Sequence, residues 1–150
     1  MPIHAKEGGN WLEAIPYVFS NGAFVRVKAA FVRSSGAWEP LYSALEVSAA
    51  PAFLAGFEFG EGTKTVTTGQ TATATADEGV GPFTYAWRRV SGSSAITANS
   101  ASSANTAFSA TMGPDESETA AFVCDVTDAN GDLESTNTVT VDLSYTGVSK

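Results

Sequence analysis

The sequence predicts an all-β protein, a small N-terminal module of three β-hairpin repeats followed by a β-sandwich. Three observations carry that reading. A glycine-aromatic wording recurs three times before residue 43. From Thr63 onward, short runs of period-two alternation are separated by turn signals at the spacing of a sandwich. No stretch has a helical period.

The repeats read "IHAKEGGNWLEA", "YVFSNGAFVRV" and "FVRSSGAWEPL". Each opens on an apolar or aromatic residue (Ile3, Tyr17, Phe31), turns at Gly9, Gly22 or Gly36, and resumes with Trp11, Phe24 or Trp38. Asn21-Gly22 is the strongest hairpin signal, because that pair tolerates the positive φ angles of a type I′ turn. Gly8-Gly9 and Ser35-Gly36 are weaker versions. Beyond the turn, Phe24, Arg26 and Lys28 alternate with Val25 and Val27, as in a strand. Internal repetition favours packing roles for the aromatics, one per hairpin in a shared core. The other reading projects some of them outward, toward a partner or a sugar ring. Size points to a partner in both cases, since about forty residues without a disulfide or metal rarely bury enough surface to stand alone. Residues 1–45 are therefore expected to anchor or oligomerise the chain, with Trp11, Tyr17, Phe24, Phe31, Trp38 and Tyr42 as docking and packing residues.

Residues 46–59 are read as a linker or a first strand. Pro51 interrupts any helix there, and Ala52–Phe59 is either a strand or an apolar strap over the next domain. Residues 60–150 form the sandwich. "TKTVTTGQTATATA" supplies two short strands around Gly69, and "GPFTYAWRRV" one with Phe83, Tyr85 and Trp87 on one face. A polar loop region follows, with a short strand near Ile96 and another in "TAFSATM". "AAFVCDVTDANGDLESTNTVTVDL" reads as a hairpin turning at Asp128–Gly131, with Phe122, Cys124 and Val126 pointing one way and Val139, Val141 and Leu143 forming the returning inward face. Trp87, Phe122, Cys124 and Val126 are the expected sandwich core.

Composition sets limits on function. The chain has 150 residues, 43% hydrophobic but only 16% charged, well below the roughly 25% usual for soluble domains. One cysteine excludes an internal disulfide and a cysteine-based zinc cluster. The net charge of −8 argues against nucleic acid, and no apolar run has the length of a membrane span. No apolar core of a secretory signal is seen in "MPIHAKEGG". Residues 1–50 balance four basic groups (Lys6, Arg26, Lys28, Arg33) against four acidic ones (Glu7, Glu13, Glu39, Glu46), so residues 51–150 carry the whole charge. Such a shift marks a domain boundary.

Nothing points to a reaction. His4 is the single histidine, so acid–base or nucleophilic chemistry of the Ser-His or Cys-His kind would rest on it alone. Hydrolase, zinc-protease and phosphate-loop motifs are absent. No cofactor and no metal is expected. "DANGDLE", with Asp128, Asn130, Asp132 and Glu134 around Gly131, faintly echoes a calcium loop, but its glutamate arrives too early. A solvated hairpin turn is the preferred reading. "GPDESE" (Gly113–Glu118) is expected to be a solvated loop, and Arg88-Arg89 to pair with surface carboxylates.

Two resemblances follow from these residues. In tandem, the pattern Φ-V-x-x-x-G-x-W-x-x-Φ over residues 3–42 resembles the short glycine-tryptophan repeats of bacteriophage tail and other virion proteins. The middle copy departs from it with Phe24, and the first has an extra residue before its turn. Residues 60–145 resemble an immunoglobulin-like domain of the bacterial and phage type. Trp87 matches the strand-C tryptophan and "FVCDVTDANG" the strand-F pattern. Phe122 stands where that family often has a corner tyrosine, and Cys124 at the strand-F cysteine. The strand-B partner is replaced by an alanine of "TATATA", so the resemblance implies a buried free thiol near Trp87.

The resemblances imply a non-enzymatic virion protein, tail-associated, homo-oligomeric and held by other virion proteins. Its immunoglobulin-like domain would face solvent and make weak contact with host-surface glycan. A capsid decoration protein is the nearest alternative. A carbohydrate-binding or adhesion module of a bacterial surface protein, with Trp11 and Trp38 stacking on sugars, is the third.

Overall fold

The computed structural model describes residues 44–148 throughout and, before them, the backbone of strands only, within residues 4–43. The six early strands are β1 (His4–Glu7), β2 (Asn10–Glu13), β3 (Tyr17–Ser20), β4 (Ala23–Arg26), β5 (Ala29–Ser34) and β6 (Ala37–Ser43). They pair antiparallel as β1–β2, β3–β4 and β5–β6, three separate two-stranded sheets. The register repeats. Lys6 faces Trp11, Phe19 faces Phe24 and Arg33 faces Trp38. Counting outward along the same pairing aligns His4, opposite Glu13, with Tyr17, opposite Arg26, and Phe31, opposite Pro40. The extra residue of the first copy thus puts His4, not Ile3, in the opening position. The side chains of Trp11, Tyr17, Phe24, Phe31, Trp38 and Tyr42 lie outside the described residues.

The sandwich has two layers. One strand runs as β7 (Val47–Ala50), crosses a cis Ala50-Pro51 bond, and continues as β8 (Phe53–Gly60). β7 pairs antiparallel with β10 (Ala72–Ala76) in one sheet, while β8 pairs parallel with β17 (Val139–Gly147) in the other. Residues 46–59 thus contribute β7 and most of β8, and Leu54 is buried in the core. β13 (Asn105–Thr106) pairs with the other side of β10, and the same layer holds a second three-stranded sheet of β12 (Thr97–Ala98), β14 (Phe108–Met112) and β9 (Lys64–Thr67). The facing sheet runs β11 (Thr84–Gly92), β15 (Glu116–Thr127), β17, β8, with β16 (Leu133–Ser135) also on β15. Written by sequence order, this is the immunoglobulin-like arrangement, with the first strand divided between both sheets.

Alternation explains the core. On β15, Phe122, Cys124 and Val126 point inward, and Val139, Val141, Leu143 and Tyr145 do so on β17; all are buried. Trp87 meets Phe108 edge-on at 5.8 Å, and Phe108 leans on Phe122 at 4.4 Å. The Trp87 indole N–H donates to the Ser103 carbonyl at 2.9 Å, which satisfies the ring's polar end. Cys124 is a free, buried thiol, and Ala72 and Ala74 of β10 are buried in the same cluster.

Three of the four buried polar residues repair interruptions in strands. Between β9 and β10, the Thr68 hydroxyl accepts from the Phe108 N–H and donates to the Gln70 carbonyl. The Thr106 hydroxyl accepts from the Ser100 N–H and donates to the Ala107 carbonyl, where β13 gives way to β14. Between β16 and β17, the Thr136 hydroxyl accepts from the Cys124 N–H at 2.9 Å and donates to the Asn137 carbonyl. A buried main-chain group without a partner is costly, and a threonine supplies both donor and acceptor where the ladder fails.

Asp128 is the fourth: the turn of "DANGDLE" is solvated at Ala129–Gly131, as read from the sequence, but Asp128 itself is not. Its side chain is buried and works as a clamp. Oδ1 accepts from the N–H groups of Asn130 and Asp132, and Oδ2 accepts from that of Val80 at 3.0 Å. The turn closes over Gly131, whose φ of 85° suits glycine. The carboxylate is held by main-chain donors, and among the described residues no group of three or more metal-ligating side chains occurs.

Candidate functional site

The chemically distinctive surface is the outer face of the β11–β15–β17–β8 sheet. At one edge stands β8, "FLAGFEFG". Leu54 and Gly56 point inward, while Phe53, Phe57 and Phe59 are 55%, 50% and 59% exposed. The inward side admits no larger residue at Gly56, because a Cβ there would lie 2.5 Å from the Thr67 carbonyl oxygen. The strand is thus pressed against β9 from within and displays its aromatics outward. Phe57 and Phe59 meet edge-to-face, with centroids 4.3 Å apart and ring planes at 84°.

Next to this stripe lies β17, whose outward residues are Thr140, Asp142, Ser144 and Thr146. Parallel pairing sets Thr140 beside Phe53, Asp142 beside Ala55 and Ser144 beside Phe57. Asp142 therefore sits between two of the exposed rings. Its Oδ1 is buried and has no hydrogen-bond partner among the described residues. A desolvated carboxylate oxygen without a donor is unusual in a folded protein.

At the far side of the face, Arg88 pairs with Asp125, Nε to Oδ2 at 2.6 Å and Nη2 to Oδ1 at 3.1 Å. The Ser135 hydroxyl donates to the same carboxylate. The hydrogen bond from Arg88 holds the Asp125 carboxyl below its ordinary range, against the opposing effect of partial burial. Arg89 turns elsewhere and donates to the Ser93 carbonyl at 2.9 Å. The expectation that both arginines meet carboxylates thus describes Arg88 alone. "GPDESE" is shorter than a loop: Glu116 already begins β15, and its carboxylate accepts from the Gly113 N–H.

The residues assigned to the sandwich core, Trp87, Phe122, Cys124 and Val126, come together as core and form no site. Burial pushes the Cys124 thiol up, away from reactive thiolate. Sequence reasoning missed the Phe53–Phe57–Phe59 stripe because it read Ala52–Phe59 as either a strand or an apolar strap over the next domain, without assigning the phenylalanines to a face. The usable signal was phenylalanine at every odd position but one from 53 to 59, with Leu54 and Gly56 between.

No protein-family model and no curated protein matches the chain. Among solved structures, it is similar to the PKD domain of human KIAA0319, at 9% identity and a TM-score of 0.32, over 79% of this chain and 94% of that one. A likeness this distant adds nothing to the strand order described above.

Proposed function

We propose that this chain is a non-enzymatic structural protein of a bacteriophage virion, tail-associated, in which residues 1–45 attach and the immunoglobulin-like domain is displayed. The observation that carries the reading is the division of labour along the chain. The sandwich closes its own core from residues 49–145, whereas the preceding strands form two-stranded units, which are marginal alone in water. Their common register supports one repeated unit with one repeated role. The virion assignment itself draws on the resemblance of the repeats.

A scaffold role is also supported by how the buried polar groups are used. Thr68, Thr106, Asp128 and Thr136 all hold main chain in place. The test is deletion of residues 1–43. The truncated protein should remain folded and disappear from purified particles, and immunogold labelling of intact particles should mark the tail. Truncated protein that still co-purifies with particles would defeat the attachment role, and label on the head would move the protein to capsid decoration.

A further inference from the structure

The exposed phenylalanines and the half-buried Asp142 carboxylate beside them suit one occupant that is apolar and carries positive charge. A sugar ring fits poorly, because Phe57 and Phe59 stand at 84° to each other and offer no shared plane. Strand addition to the free edge of β8 is obstructed at its middle, where the Ala55 carbonyl already accepts from the Gly69 N–H at 3.0 Å. The available surface is therefore the face. Two stripes packed on each other would set Asp142 near its own copy in a chain of net charge −8, and like charges facing across an interface are unfavourable.

The chain itself contains a complementary segment. Residues 17–38, "YVFSNGAFVRVKAAFVRSSGAW", carry Arg26, Lys28 and Arg33 and no acidic residue. Strands β3 to β5 lie in this segment, in two-stranded sheets that need further partners. We propose that the face formed by Phe53, Phe57, Phe59 and Asp142 receives the basic hairpin segment 17–38 of a second copy of this chain. Aromatic and aliphatic residues of the segment cover the stripe, and its cations complement the acidic Asp142 at the stripe's flank. The contact is heterologous, head to tail, so it builds rings or strings of copies. This deepens the attachment reading above and rests on it.

The test uses the full chain in sedimentation velocity at low ionic strength. Wild type should self-associate with rising concentration, and added salt should weaken this. Phe53→Ser/Phe57→Ser and Arg26→Glu/Arg33→Glu should each weaken association at least tenfold, at unchanged thermal unfolding of the sandwich. Mixing the two variants should restore a 1:1 complex, because one keeps its segment and the other its face. A monomeric wild type, association that survives the phenylalanine changes, or a mixture that stays monomeric would each overturn the proposal. Loss of self-association with particle incorporation intact leaves the attachment reading standing, so the two fail separately.

Discussion

The side-chain amide of Asn137 takes both main-chain groups of Ala49. Its Oδ1 accepts from the Ala49 N–H at 2.8 Å, and its Nδ2 donates to the Ala49 carbonyl at 3.0 Å. One residue thus stands in for a neighbouring strand along β7 and ties the first sheet to the segment that leads into β17. Asn137→Leu should cost about 1–3 kcal/mol, the penalty for main-chain groups left without partners. Urea unfolding would measure it, and hydrogen exchange should speed up at the Ala49 amide before the rest of β7.

Asp128→Ala should be more harmful, because three N–H groups lose one acceptor. A loss of at least about 2 kcal/mol is expected. Asp128→Asn should fall between, since its amide oxygen can keep the bonds to Asn130 and Asp132 while its NH2 group opposes the Val80 N–H. Denaturation midpoints of the three proteins give the order directly.

Cys124 should be silent in the native protein. It is buried, and burial pushes its thiol up. A thiol reagent at pH 8 should label it only after denaturant is added, at the rate of global unfolding. Rapid labelling without denaturant would mean that β15 opens locally.

The Arg88–Asp125 pair should show in the pH dependence of stability. Its carboxyl is held low by the hydrogen bond from Arg88, so its contribution is present above the unfolded carboxyl value, about 3.9. That contribution falls away as pH drops through the lower folded value. The difference in urea midpoint between wild type and Arg88→Gln should therefore be small and constant from pH 7 to pH 5, and should vanish in more acid solution. An exposed pair is expected to have only a modest effect.

The strands that carry the core were readable because alternation and burial coincide in them. Phe122, Cys124 and Val126 on β15 and Val139, Val141 and Leu143 on β17 are the buried alternating positions, although only Phe122 and Val139 are direct partners: the returning chain first pairs as β16, and β17 runs on beside the earlier part of β15. β8 was harder to read because its partner β17 lies nearly ninety residues away in a parallel pairing, and Pro51 and Gly56 look like punctuation. Its outward phenylalanines break the rule that the apolar face is the buried one, and functional surfaces are where that rule fails. Asp128 and Asn137 were unreadable for another reason. Their roles depend on Val80 and Ala49, distant in sequence, and a polar residue in a turn gives no sign that its partners are main-chain groups elsewhere.

The central claim is that residues 1–45 are an attachment module and the sandwich its cargo. Fusing those residues to an unrelated, soluble, monomeric fluorescent domain tests it most directly. The account predicts that the fusion is incorporated into assembling particles in competition with the native chain. A fusion that stays free in the lysate, while the intact protein is incorporated, would contradict it.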